Sequence, residues 1–216
     1  LLKENKMTPN AMFMPRNARQ ILIAGPVGSL DTLELSPKEA VRGIAVIIHP
    51  DPNGGGTYTN KIVQTIAKVL NSKGFLCYCP NLRGVGMSAG EHDFGTGEVE
   101  DARAVYAYAK AQHPDLPIIL AGFSFGTAVI SNLALQVEHS KLILIGPAVT
   151  RYSVQVPERN KTLVIHGQED EVIPLSAIYE WAEQHDLPVS VFLKTGHFFH
   201  GKLVQLQNYL TQVVNV

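Results

Sequence analysis

Three side chains of suitable type stand in a suitable order for nucleophilic catalysis. Ser124 lies at the centre of Gly122-Phe123-Ser124-Phe125-Gly126, a GxSxG pattern that follows the apolar run Pro117-Ile118-Ile119-Leu120-Ala121 and opens a stretch of helical periodicity. That context matters, because a tight strand-to-helix turn exposes the hydroxyl and only small flanking residues allow such close approach. A serine hydroxyl is a poor nucleophile at neutral pH and needs a base, usually a histidine held in one tautomer by a carboxylate. His197 follows the run Val191-Phe192-Leu193 and its turn, and Glu169, Asp170 and Glu171 follow Val164-Ile165-His166. The order is therefore nucleophile, acid, base, each just past an apolar run.

Among the acids Asp170 is the candidate, standing in Gly-x-x-Asp-x-x-x-Pro, with Glu169 and Glu171 read as solvated neighbours. His197 is preferred to His200, which abuts Gly201 and the last helix, where a histidine caps or packs. His49, His92, His113, His139, His166 and His185 show no metal-ligand spacing such as HExxH, so no metal is expected.

These residues need a scaffold, and the chain is long enough to build one. Its 216 residues, 45% hydrophobic and 17% charged, suit a single domain at 19–216 behind an N-terminal extension at 1–18. Apolar runs alternate with helical stretches, the rhythm of βαβ units around a mostly parallel sheet with helices on both faces. Strands are expected at Gly43–Ile48, Phe75–Pro80, Pro117–Gly122, Lys141–Ile145, Thr162–His166 and Val189–Lys194. Helices are expected at Ile62–Ser72, Gly97–Gln112, Phe125–Val137, Leu175–Gln184 and Gly201–Val213, with Tyr106, Tyr108, Ile178, Tyr179 and Trp181 facing inward. Gln20–Ala24 and Asp31–Leu35, joined by Gly25-Pro26-Val27-Gly28, predict an antiparallel hairpin at one sheet edge.

Eighteen basic against nineteen acidic side chains leave a formal charge of -1, no footprint for nucleic acid or an anionic membrane. Cys77 and Cys79 alternate on one face of one strand and read as buried free thiols. With no run long enough to span a membrane and reduced thiols, the cytoplasm is the expected compartment.

Taken together, these segments resemble an α/β-hydrolase, and more narrowly the small bacterial hydrolases that carry an HPxP-GG loop, an RGxGxS segment, GFSFG, HGxxDxxVP and GHFF. Here they read His49-Pro50-Asp51-Pro52 with Gly54-Gly55, Arg83 to Ser88, Gly122 to Gly126, His166 to Pro174, and Gly196-His197-Phe198-Phe199. The resemblance implies a Ser124-Asp170-His197 triad and hydrolysis of carboxylic esters. Asp51 stands where relatives often have His, which places an extra carboxylate near the site. Arg83 reads as the anchor of a turn rather than a substrate contact.

The glycine-rich loop from His49 to Lys61 occupies a place where other folds cradle phosphate. A P-loop, however, ends in Gly-Lys-Ser/Thr, whereas Lys61 sits between Asn60 and Ile62, and a dinucleotide fingerprint needs a glycine where Thr59 stands. On an α/β-hydrolase the loop instead supplies one of two backbone NH donors to a tetrahedral oxyanion, the other coming from Phe125. Pro50 and Pro52 have no NH, which leaves Asp51 as the expected donor and Asn53 as the fallback.

Only Gly146 to Lys161 separate two successive strands where lid domains usually enter, so an open, lidless site for small substrates is expected. The expected activity is that of a serine hydrolase cleaving carboxylic esters or thioesters through an acyl-enzyme, with a small-molecule acyl substrate and no cofactor. A small peptidase or amidase, and a noncatalytic binding module on the same fold, are the alternatives.

Overall fold

A strand buried on both faces cannot alternate polar and apolar residues, and the continuous apolar runs of this chain become the centre of one sheet. The structure is a computed structural model that describes residues 17–214. Residues 1–16 of the expected N-terminal extension lie outside the described residues, and the first strand already begins at Ala18.

The elements run β1 (Ala18–Gly25), β2 (Gly28–Leu35), β3 (Gly43–Ile48), α1 (Lys61–Ser72), β4 (Phe75–Pro80), α2 (Thr96–Gln112), β5 (Ile118–Phe123), α3 (Phe125–Ala134), β6 (Lys141–Ile145), β7 (Thr162–Gly167), α4 (Leu175–Gln184), β8 (Val189–Phe192) and α5 (Leu203–Val213). Among the described residues the sheet has eight strands in the order β1-β2-β4-β3-β5-β6-β7-β8. β1 and β2 form the antiparallel hairpin, β2 meets β4 antiparallel, and every pairing from β4 to β8 is parallel.

Alternate residues of each central strand serve two cores. Ile44, Val46 and Ile48 of β3 pack with α2, α3 and α4, while Ala45 and Ile47 pack with α1 and α5. Cys77 and Cys79 both point into the second core as free thiols, and burial pushes the Cys79 thiol up to about 12. Val105 and Ala109 of α2 are buried with Tyr106 and Tyr108 packed beside them, whereas Tyr179 of α4 is 51% exposed, contrary to expectation. Ile178 and Trp181 occupy the buried stripe, and Tyr179, next to Ile178 on a helix, is turned away from it.

Beyond the hairpin, three ends differ from the expected bounds by two residues or more. α3 stops at Ala134 rather than Val137. β8 stops at Phe192, two residues before Lys194 adopts a left-handed φ of 50°. α5 begins at Leu203 because Phe199 (φ 51°) and Gly201 (φ 70°) turn the chain first. Between β6 and β7 only a single 3-10 turn, Arg159–Lys161, interrupts the loop, so no lid domain is inserted between these two strands. Among the described residues no helix is long and apolar enough to cross a membrane.

The parallel register is what builds a site. Ile48 pairs with Gly122, Phe123 with Ile145, and Gly167 with Phe192, so the loops after β3, β5, β7 and β8 leave the same sheet edge together. The chain steps from β3 to β4 on one side and then to β5 on the other. This is the reversal point at which open α/β sheets leave a crevice.

Candidate active site

Ser124 caps the crevice between β3 and β5 in a strained conformation, φ 53° and ψ −120°, a cost of about 1–3 kcal/mol that surrounding packing must hold. Its flanking glycines explain how. A Cβ on Gly122 would lie 2.3 Å from the Gly126 carbonyl oxygen, and one on Gly126 would lie 2.4 Å from that of Ile48. The turn is held by the Ser124 NH donating to the Ile145 carbonyl (2.9 Å) and by the Thr127 hydroxyl donating to the Ser124 carbonyl (2.6 Å). The Ser124 side chain makes no cap to its own helix and faces His197 instead.

His197 sits between two partners, its Nε2 3.0 Å from Ser124 Oγ and its Nδ1 2.7 Å from Asp170 Oδ2. All three residues are buried, and the imidazole packs against Phe123 and Phe198 at ring separations of 5.0 and 5.1 Å. Burial alone would raise the Asp170 carboxyl, but the His197 hydrogen bond and the Ile173 NH outweigh it and hold the group below the usual carboxylate range. Asp170 is therefore ionised and can only accept, so Nδ1 of His197 carries the proton and Nε2 offers its lone pair to the serine hydroxyl. The other carboxylate oxygen, Oδ1, accepts from the NH groups of Val172 (2.9 Å) and Ile173 (2.8 Å). Behind it, buried His166 donates from Nε2 to the Ile173 carbonyl at 3.0 Å and lies 3.5 Å from Asp170 Oδ2. His200, the alternative base, is exposed and stacks on Phe198.

Glu171 is exposed, as expected of a solvated neighbour, but it also makes a contact that its sequence position does not announce. Its Oε2 accepts the backbone NH of His197 at 3.1 Å, and the Glu169 NH donates to the Thr195 carbonyl at 2.9 Å. These bonds help to tie the acid loop to the histidine loop. Glu171→Ala should lower kcat for ester hydrolysis about tenfold with little change in thermal midpoint, since small displacements of a reacting group are costly. Glu171→Gln, which keeps an accepting oxygen, should recover most of the rate.

In the loop after β3 the NH groups of Asp51 and Asn53 differ in their hydrogen bonding. The Asn53 NH is spent on the Asp51 side chain at 2.9 Å, and the NH groups of Gly54 and Gly56 both go to the Asp51 carbonyl. The Asp51 NH has no acceptor among the described residues, and neither does the NH of Phe125. His49, which carried no assigned role, holds this loop: Nδ1–H donates to the Pro50 carbonyl at 2.7 Å and Nε2 accepts from the Leu82 NH at 3.0 Å. Arg83 is engaged through its NH, Nε and Nη2 by the buried carboxylate of Asp101 and so anchors its turn.

Ser124 and His197 open onto a cleft of about 270 Å³ whose walls include Asp51, Gly55, Arg151 and Phe198. Among the described residues no group of His, Cys, Asp and Glu side chains could hold a metal ion. The chemistry available is that of a hydroxyl, an oriented imidazole and two unpaired NH groups.

Known proteins carry the same scaffold. The chain is 36% identical to an α/β serine hydrolase without a lid from Xanthomonas campestris, with a TM-score of 0.84 over 93% of this chain and 94% of that one. It is 34% identical to an α/β serine hydrolase homologue from Coxiella burnetii, with a TM-score of 0.83 over 91% of this chain and 97% of the other. A monoacylglycerol lipase from Mycolicibacterium smegmatis is 29% identical over 174 residues, 78% of this chain and 60% of the lipase. A family model described as serine aminopeptidase, S33 (Hydrolase_4), matches residues 39–160, more than half of the chain. The chain is accordingly a hydrolase of the α/β-hydrolase fold and belongs to that family.

Proposed function

We propose that the protein is a serine esterase that cleaves small carboxylic esters or thioesters through an acyl-enzyme. The observation that carries this reading is His197 bridging Asp170 (2.7 Å) and Ser124 (3.0 Å), with the hydroxyl facing a cleft rather than its own helix. His197 Nε2 takes the Ser124 proton as Oγ attacks the acyl carbonyl. The imidazolium is steadied by Asp170, and the NH groups of Asp51 and Phe125 receive the oxyanion. Collapse expels the alcohol or thiol, protonated from Nε2–H, and a water activated by the same nitrogen frees the acid and restores Ser124.

Two observations support small substrates: the cleft of about 270 Å³ and the short loop, residues 146–161, where a lid would stand. Relatives described as a lipase and as serine hydrolases support ester chemistry.

A fluorophosphonate probe should form an adduct that peptide mass spectrometry maps to Ser124. Short-chain esters and thioesters should then outpace both long-chain esters and amides in a graded panel. Absence of the adduct would sink the serine mechanism. Faster turnover of long-chain esters would overturn the small-substrate assignment.

A further inference from the structure

Among the described residues Arg42 and Arg151 are the arginines that hold no acid, and of the two Arg151 lines the cleft. Arg19, Arg83, Arg103 and Arg159 each hold a carboxylate, on Glu34, Asp101, Glu100 and Asp186 respectively. Arg151 holds none among the described residues, yet it lines the cleft with Ser124 and His197.

Its backbone position is tied to the nucleophile by consecutive hydrogen bonds. The Thr127 hydroxyl donates to the Ser124 carbonyl at 2.6 Å and accepts from the Ala148 NH at 3.2 Å. The Ala148 carbonyl in turn receives the NH groups of Arg151 and Tyr152, each at 3.0 Å. The arginine is thereby presented from a turn braced against the first turn of α3. The one acid among the described residues of the cleft wall, Asp51, has its Oδ1 engaged by the Asn53 NH, and no ion pair joins it to Arg151. A planar guanidinium with free donors beside a reacting acyl group matches a carboxylate in charge and in fork geometry.

We propose that Arg151 anchors a carboxylate carried by the substrate, so that the enzyme favours short anionic esters over neutral ones of the same length. This rests on the esterase reading of Ser124. The carboxylate can belong to the acyl group, as in a half-ester of a short dicarboxylic acid, or to the leaving alcohol.

The test uses two matched pairs, 4-nitrophenyl hemisuccinate against 4-nitrophenyl butyrate, and 3-carboxyphenyl butyrate against phenyl butyrate. In Arg151→Gln the ratio of kcat/KM, anionic over neutral, should fall about tenfold in one pair, chiefly through KM. The pair that responds identifies which side carries the charge. Arg151→Lys should recover part of the ratio, and raised salt should compress it in the wild type. Equal losses on anionic and neutral esters, or none, would overturn the assignment. Fluorophosphonate labelling of the same preparations separates the two readings. Labelled protein with unchanged ratios defeats only the Arg151 proposal, while wild-type protein that does not label defeats the esterase reading beneath it.

Discussion

Asp170→Asn should reduce kcat for ester hydrolysis by about 10⁴-fold while leaving the fold intact, the scale seen when the orienting acid of such a relay is neutralised without changing its shape. The expectation follows from the two oxygens of Asp170 having different clients. Oδ1 accepts from the NH groups of Val172 and Ile173, and Oδ2 faces Nδ1 of His197. An asparagine has a single accepting oxygen, and the two backbone donors would claim it. Its NH₂ group would then point at Nδ1, which must turn acceptor, and the ring proton would move to Nε2 beside Ser124. The base would be lost although every heavy atom stayed in place. The check is kcat for a short-chain ester together with a thermal melt. A fall of less than tenfold in a folded variant would mean that Asp170 does not set the tautomer. Asp170→Ala separates geometry from charge, because it also releases the NH groups of Val172 and Ile173 and should lower the melting midpoint.

The residues of the proposed relay could be picked out in the sequence because chemistry restricts their types and a parallel sheet restricts their places. Ser124, Asp170 and His197 each had to follow an apolar run, and the register that pairs Ile48 with Gly122 and Gly167 with Phe192 brings those positions to one edge. The ends of β3, β4 and β6 were equally readable, since strands buried on both faces begin and end where apolar residues do. Contacts between loops were not. Glu171 reaches His197 across 26 residues, and His49 reaches Leu82 across 33. Neither pair leaves a periodic trace, and both depend on where two turns happen to meet. For that reason Glu171 reads in the sequence as a surface acid, which it is, while its bond to His197 leaves no sign there. The stop of β8 and the late start of α5 depend on left-handed residues, Lys194 and Phe199, whose side chains do not favour that conformation.

His49 makes the fold sensitive to acid, and stability should fall as pH drops from about 6.5 to about 4. The ring is fully buried and is bonded at both nitrogens as a neutral imidazole, donating to Pro50 from Nδ1 and accepting from Leu82 at Nε2. Burial holds its pKa down at about 4 against an ordinary 6.5, with the Pro50 carbonyl opposing only in part. The unfolded chain therefore takes up a proton throughout that window while the native chain does not, so acid favours unfolding. This contribution is complete above about pH 6.5, declines as pH falls, and levels off below about 4. The full window corresponds to about 3 kcal/mol. His166, lowered by burial, adds in the same direction, and Asp170, also lowered, gives up its share further into acid. Urea unfolding at pH 7.5, 6 and 5 measures the slope. In His49→Gln the slope should flatten, because the amide can donate and accept without titrating, at some loss of stability at pH 7.5. The same variant should also lower kcat, because the Pro50 carbonyl that His49 pins lies next to the Asp51 NH proposed to receive the oxyanion. A wild-type slope retained in His49→Gln would place the acid sensitivity elsewhere. A flattened slope with unchanged kcat would show that the loop after β3 holds its position without this tether.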